Sequence, residues 1–241
     1  MNQSQSPRVV VLTGAGISAE SGLKTFRDND GLWEQHRIED VATPEAFQRN
    51  PDLVYRFYNE RRAQLVNDRV TPNPAHLALA QLEKRIGSQL LLITQNVDNL
   101  HEQAGSKNVL HMHGLLNSAR CMKTGHAIPF LDSFDASSPC QCCSPPSSLR
   151  PDIVWFGEMP KYMDEIYDAL IQADIFISIG TSGNVYPAAG FVQQASDYGA
   201  KTLQMNLEET TNNHYFEQHI QGAASKTVPH FVNSFLREHG L

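Results

Sequence analysis

A run of apolar, mostly β-branched residues, Val9-Val10-Val11-Leu12-Thr13, stops at Gly14-Ala15-Gly16, and a helix-like segment opens at Ile17-Ser18. A strand that ends in a glycine turn and continues as a helix is the opening unit of a parallel βαβ sheet. Glycines let the backbone turn sharply and let a ligand approach without meeting a Cβ. The first N–H groups of the helix then face an anion, so Gly14-x-Gly16-x-x-Ala19 suits nucleotide phosphates. A plain βα turn reads the same way.

The rest of the chain repeats the unit. Phe26 to Trp33 is a polar loop that folds over a cofactor, or a surface connection with Phe26 and Trp33 buried. Thr43 to Leu65 reads as one helix, with Thr43 as cap and Pro44 in the first turn. Tyr58 and Arg61 are three residues apart on it and can reach one ligand. Pro74 to Lys84 is a second amphipathic helix. Leu90 to Thr94 is a buried strand that ends in Gln95-Asn96-Val97-Asp98-Asn99. Those side chains suit hydroxyls and an amide, or else Asp98 and Asn99 cap the helix Leu100 to Ala104.

His111 and His113 are expected to face opposite ways, so that only one meets a given site. A histidine beside Gly114 and near a cofactor is a candidate base. Asp164 to Ala173 is helical. Ile175 to Ile179 is a buried strand running into Gly180-Thr181-Ser182-Gly183, followed by a helix from Ala188 to Tyr198. Thr202 to Met205 is a strand closed by Asn206-Leu207-Glu208, and Pro229 to Glu238 is a closing helix. This order predicts an α/β fold, a Rossmann-like parallel sheet with helices on both faces. Right-handed crossovers place four polar or small strand ends along one edge, where a dinucleotide fits.

A formal net charge of −7 argues against nucleic acid and anionic membranes as partners. There is no apolar signal core and no run long enough for a bilayer, so cytoplasm is the default location. The four cysteines, Cys121, Cys140, Cys142 and Cys143, fall in one short region. In a reducing compartment that favours metal over disulfides. Cys121 to Pro151, rich in Ser and Pro, reads as an inserted zinc-ribbon-like module. Cys140 and Cys143 form one complete knuckle, but Thr124 stands where the partner of Cys121 is expected. Three sulfurs with Cys142, His126 or water complete a tetrahedron for one zinc ion, and a degenerate ribbon without metal is the alternative.

The strings GAGISAESG with TFRDNDGLW, TQNVDNLH, HMHG, VWFGE, GTSGNVYPAAG and NLE occur in this order along nearly the whole chain. Together they resemble the sirtuins, NAD-dependent protein lysine deacylases, and most of all the bacterial CobB-type members. The resemblance implies an NAD-binding domain (about 7–41, 86–113 and 152–241). It implies a small domain built from a helical insert (about 42–85) and the Cys-rich module (about 114–151). NAD would meet Gly14, Ala15, Gly16 and Ser18 at the pyrophosphate. Phe26, Arg27 and Trp33 would lie on the cofactor loop, and Gln95, Asn96, Val97 and Asp98 at the nicotinamide ribose and carboxamide. Gly180, Thr181 and Ser182 would take the phosphate and ribose side, with Asn206, Leu207, Glu208 and Ala224 toward the adenosine.

Trp155, Phe156, Gly157 and Glu158 on one side and Gly183 to Val185 on the other would hold the acylated peptide as an added strand. Ala42, Tyr58 and Arg61 resemble the members that accept succinyl or malonyl groups. A small Ala42 leaves room for a longer chain, and Tyr58 and Arg61 bind its carboxylate. The implied chemistry has the acyl oxygen attack C1′ of the nicotinamide ribose as nicotinamide leaves. His113 takes a ribose hydroxyl proton, Asn96 and Asp98 position the ring and a water, and free lysine and O-acyl-ADP-ribose result. A monomer is expected. An NAD-dependent dehydrogenase and a non-catalytic ADP-ribose-binding ribbon protein are the competing readings. The dehydrogenase is weakened because the acid expected about 20 residues after the glycine turn, at the next strand, has no clear match.

Overall fold

The structure is a computed structural model that describes residues 6–23, 32–33, 36–67 and 70–241. Phe26 and Arg27 lie outside the described residues, and of Trp33 only the strand backbone is described. In chain order the strands are β1 (Val9–Thr13), β2 (Leu32–Trp33), β3 (His36–Arg37), β4 (Leu90–Thr94), β5 (Val109–His111), β6 (Gly114–Cys121), β7 (Ala127–Pro129), β8 (Leu149–Ile153), β9 (Ile175–Ile179), β10 (Lys201–Asn206) and β11 (Gln218–Gln221). The α-helices are α1 (Ala15–Ser18), α2 (Ile38–Val41), α3 (Pro44–Arg49), α4 (Pro51–Asn67), α5 (Pro74–Ile86), α6 (Leu100–Ala104), α7 (Met163–Ile171), α8 (Phe191–Asp197) and α9 (Ala224–Glu238).

Six strands form one parallel sheet in the order β11-β10-β9-β1-β4-β5. β1 lies between β4 and β9, and all five of its residues are buried, as a strand covered on both faces requires. Its alternate side chains serve two cores. Val9 and Val11 pack with α5 and α9, and Val10 and Leu12 pack with α7 and α8. The predicted doubly covered sheet is therefore the observed one.

A third apolar cluster joins α2, α3 and α4 to a separate antiparallel sheet, β7-β6-β8. Val54, Phe57 and Phe47 meet Leu116, Leu149 and Ile153 there. Arg62 pins α4 to this sheet. Its Nε donates to the Leu116 carbonyl at 2.7 Å, and its guanidinium lies 4.9 Å from the Phe134 ring. Burial pulls its pKa down to about 10.

Three elements differ from the sequence reading. The single helix expected from Thr43 to Leu65 is two, α3 and α4. Pro51 has no N–H to continue α3, and Asn50 starts the next helix by accepting the Leu53 N–H at 3.2 Å. The closing helix begins at Ala224 rather than Pro229. Glu20 takes the N–H and hydroxyl of Ser225 at 3.0 and 2.6 Å, so the first turn is satisfied from outside the helix. The helix expected from Ala188 to Tyr198 is a 3-10 turn, Ala188–Gly190, followed by α8. No described helix is long and apolar enough to cross a membrane.

Candidate active site

The carboxyl ends of β10, β9, β1 and β4 are neighbours, and their loops are stitched together. Gly180 N–H donates to the Met205 carbonyl at 3.0 Å, Gly14 N–H to Ile179 at 3.0 Å and Gly16 N–H to Gly180 at 2.9 Å. Gln95 N–H donates to Thr13 at 2.9 Å. A Cβ on Gly14 would stand 2.8 Å from the Gly180 oxygen, and one on Gly16 2.7 Å from the Gly180 Cα. Gly180 itself has φ +63° and abuts the backbone of Gly16 and Ile17. These glycines are needed first for turn-on-turn packing, which narrows the expectation that they serve a ligand's approach. The helix after the turn is also short. α1 is four residues, and a 3-10 turn over Ala19–Ser21 follows it.

Beyond the second turn, the Thr181 hydroxyl is 2.9 Å from that of Ser178, and its carbonyl accepts from Asn206 Nδ2 at 2.7 Å. Asn206 therefore braces the Gly180–Ser182 turn. Ser182 is half-buried, Leu207 and Glu208 are exposed past β10, and Ala224 is buried at the start of α9.

Ser18 gathers the polar residues. Its hydroxyl donates to Asp98 Oδ2 at 3.1 Å and accepts from Asn96 Nδ2 at 3.0 Å. His76 Nε2 lies 3.4 Å from the same oxygen. The Asn73 N–H points at His76 Nδ1 at 3.3 Å, so Nδ1 carries the lone pair and Nε2 the proton, which is given to Ser18. One proton out and two in satisfy the hydroxyl fully. Asp98 also accepts the Leu100 N–H at 3.1 Å, as the capping reading of this residue expects. Burial pushes the Asp98 carboxyl up, against the bonds from Leu100 and Ser18.

Behind this group the His76 and His101 rings meet edge to face at 5.0 Å, and His101 Nε2 is 3.0 Å from the Thr13 hydroxyl. Sequence reading missed both histidines. The available signal was Asn73-Pro74-Ala75-His76, a helix start whose N-cap and N3 side chains bond reciprocally. Burial lowers His76 to about 4 and His101 to about 3, from an ordinary 6.5. Unfolding at mildly acidic pH should therefore take up protons. The stabilisation is whole above about 6.5 and is lost as pH falls toward 4 and then 3, on the order of a few kcal/mol. Calorimetry should show the thermal midpoint dropping steadily over that range, and a flat midpoint would contradict the assignment.

The expectation that His111 and His113 face opposite ways rests on strand alternation, which does not give it. Residues two apart in a strand share a face, and β5 ends at His111. His113 Nδ1 lies 3.1 Å from the Gln95 carbonyl, and His111 Nδ1 lies 3.2 Å from the Asn96 carbonyl. The two rings differ in their second nitrogen, since His111 Nε2 is 2.6 Å from Glu102. Burial lowers the His113 pKa against the opposing effect of the Gln95 carbonyl, so the imidazole stays neutral near pH 7. With Nδ1–H given to Gln95, Nε2 keeps a lone pair.

The segment after β8 forms a wall beside His113. Val154 N–H donates to the His113 carbonyl and Phe156 N–H to the Ala42 carbonyl, both at 2.9 Å. Trp155 Nε1 donates to the Tyr58 hydroxyl at 3.1 Å, and both side chains are buried. Ala42, Tyr58, Trp155 and Val97 share one apolar cluster. Arg61 sits one turn on, its guanidinium 5.4 Å from the Phe57 ring. Glu158 accepts the Trp155 N–H at 2.9 Å, Gly157 has φ +91°, and Val185 is half-buried in the loop after Gly183.

In the small sheet the sulfurs of Cys121, Cys140, Cys142 and Cys143 all lie within 4.8 Å of one another. Cys121–Cys143 is 3.6 Å and Cys142–Cys143 is 3.9 Å. Zn–S bonds of about 2.3 Å in a tetrahedron need sulfurs about 3.8 Å apart, so the set fits zinc. Cys142 fills the corner left open by Thr124, whose hydroxyl is 3.4 Å from its sulfur. His126 is outside the cluster. The Thr124 hydroxyl and nearby amides draw Cys121 down to about 5, and Ser147 N–H lowers Cys140. Burial and the other sulfurs push Cys143 up.

The Sir2 family profile matches residues 14–187, from the first glycine turn past the second. The chain belongs to the Sir2 family. Its Sir2 relatives include the NAD-dependent protein deacylase of Yersinia pestis, 58% identical over 234 residues, with 97% of this chain and 84% of that one covered. The NAD-dependent protein deacylase of Escherichia coli K12 is 56% identical over 233 residues, covering 97% and 84%. Among solved structures, a Sir2 homologue in complex with NAD superposes with a TM-score of 0.85 at 37% identity, covering 96% and 90%. A Sir2 protein bound to acetylated peptide gives 0.78 at 30%, covering 99% and 95%.

Proposed function

We infer that this Sir2-family chain is an NAD-dependent protein lysine deacylase that removes acetyl and succinyl groups, releasing nicotinamide, O-acyl-ADP-ribose and free lysine. One observation carries the reading. His113, its Nδ1 held at the Gln95 carbonyl, stands between the stitched glycine turns and the Ala42–Tyr58–Trp155 wall.

The glycine turns and Ser18 bind the NAD phosphates, and Thr181, Ser182 and Asn206 continue that seat. Asn96 and Asp98, both locked to Ser18, orient the nicotinamide ribose and carboxamide. His113 Nε2 accepts a ribose hydroxyl proton. The acyl-lysine peptide adds as a strand between the Trp155–Glu158 segment and the Gly183–Val185 loop. The acyl chain passes Ala42 to Tyr58 and Arg61. The same reading divides the chain into an NAD-binding unit and a small unit of residues 42–85 and 114–151. It makes the protein a cytoplasmic monomer, and the reduced four-sulfur cluster suits that compartment.

The four cysteines would hold one zinc ion, a structural centre that ties β6 to the 140–143 turn. Cys142→Ser should lower bound zinc, read by atomic absorption, and should lower the thermal midpoint by several degrees. Full zinc content in that variant would move the fourth ligand elsewhere.

The test of function is nicotinamide release and peptide mass for matched acetyl-lysine and succinyl-lysine peptides, with and without NAD. Loss of both acyl groups only with NAD is the expected result. Absence of NAD-dependent turnover would overturn the reading. A rise in absorbance at the NADH band would point to a dehydrogenase instead.

A further inference from the structure

We propose that Arg150 is a positioning residue for the acyl pocket and that, acting through Trp155, it sets the preference for acyl groups ending in a carboxylate. The inference rests on the reading of Tyr58 and Arg61 as the carboxylate-binding pair.

Arg120 on β6 and Arg150 on β8 are direct cross-strand partners. Like charges so placed repel. Glu158 answers both. It accepts from Arg150 at 2.7 and 3.0 Å, a bidentate pair, and from Arg120 at 3.2 and 3.4 Å. These side chains are only 24%, 11% and 23% exposed for Arg120, Arg150 and Glu158. Two guanidiniums against one carboxylate leave an excess positive charge that is poorly screened by water. Desolvating the second cation carries a cost that the one shared carboxylate must offset.

The excess charge lies against the acyl wall. The Arg150 guanidinium carbon is 3.4 Å from the centroid of the Trp155 ring. Its Nε is buried with no hydrogen-bond partner among the described residues, so stacking on the indole helps hold the group in place. The other end of that indole donates to the Tyr58 hydroxyl. An indole N–H can only donate, so the phenol oxygen is fixed as acceptor and its own proton is directed elsewhere.

Burial raises the Tyr58 pKa; the Trp155 hydrogen bond and then the Arg150 charge work against that rise, and Glu158 adds to it. Arg61 follows three residues on, at the same helical face. A neutral acetyl group gains little from a positive field at this wall, whereas a terminal carboxylate gains directly.

The test compares kcat and KM for succinyl-lysine and acetyl-lysine peptides of one sequence in the parent, Arg150→Gln, Arg150→Lys and Arg61→Met proteins. Tryptophan emission is recorded beside the kinetics. Arg150→Gln should raise the succinyl KM by about fivefold or more relative to the acetyl KM. Arg150→Lys keeps the charge without the planar stack, so it should fall between parent and Arg150→Gln and shift the emission. If Arg150 variants fail to fold, Arg120→Gln leaves the Arg150–Glu158 pair on the indole and removes only the excess charge. It should raise the succinyl-to-acetyl KM ratio about threefold.

Equal changes for both peptides, or an unchanged ratio, would overturn the inference. A ratio that responds to Arg61→Met but to neither Arg150 variant would overturn it alone and leave the carboxylate pair standing. A parent that removes acetyl but not succinyl groups would sink both.

Discussion

His113→Ala is expected to lose NAD-dependent acyl removal by about a hundredfold or more, the usual worth of a positioned general base. The substitution removes one ring and one hydrogen bond to the Gln95 carbonyl at the end of β4, so the sheet should survive it. Loss of that bond costs about 1 kcal/mol of stability. The fall in rate should therefore appear in kcat, with the thermal midpoint within a few degrees of the parent. The pH profile gives an independent check. Burial lowers the His113 pKa, so its base form persists into mildly acidic solution. The acid limb of kcat/KM in the parent should lie below about 6.5 and should vanish in the variant. A His113→Ala protein that keeps a tenth of the parental rate would remove this ring from proton transfer.

Much of this site was legible because its parts sit at strand ends. β4 and β9 were readable to the residue, since strands covered on both faces are continuous apolar runs and the polar or small residue after each run marks its end. β11 was not legible. Its sequence, Gln218-His219-Ile220-Gln221, is mostly polar and mostly exposed at the sheet edge, so no alternation is written into it. The start of α9 was missed because the residue that caps it, Glu20, is 205 positions away.

The same holds for the chemistry. Gly14 and Gly16 were visible as a turn, but that they make room for Gly180 is a tertiary fact. Spacing left the fourth metal corner open among Cys142, His126 and water, and only the fold of the 140–143 turn selects Cys142. His76 and His101 lie on helices that read as ordinary amphipathic segments. Their burial behind Ser18 and Thr13 follows from how α5 and α6 pack, not from any local pattern.

Arg61→Met should separate the two acyl groups. Methionine keeps much of the length and apolar stem of arginine but has no charge and no forked donors. A succinyl carboxylate seated on the guanidinium would lose charge-assisted hydrogen bonds worth about 1.5–3 kcal/mol, which is about tenfold to a hundredfold in kcat/KM. The acetyl group carries no carboxylate, so its turnover should fall far less. The surroundings of Arg61 argue for such a split. Tyr58 is fully buried and hydrogen-bonded to Trp155, and Ala42 is tied to the same segment through Phe156. The Arg61 guanidinium, 18% exposed and 3.9 Å from the Glu60 carboxylate, brings a positive charge to this end of the α4 face.

Tyr58→Phe makes the companion measurement, because it removes the hydroxyl but leaves the ring in its apolar cluster. If the two residues grip one carboxylate, Tyr58→Phe should also cost succinyl turnover more than acetyl turnover. The double variant should then cost less than the sum of the singles in free energy, since the second loss acts on a group already released. Additive losses, or equal losses for acetyl and succinyl peptides, would mean that Tyr58 and Arg61 hold the wall rather than the substrate.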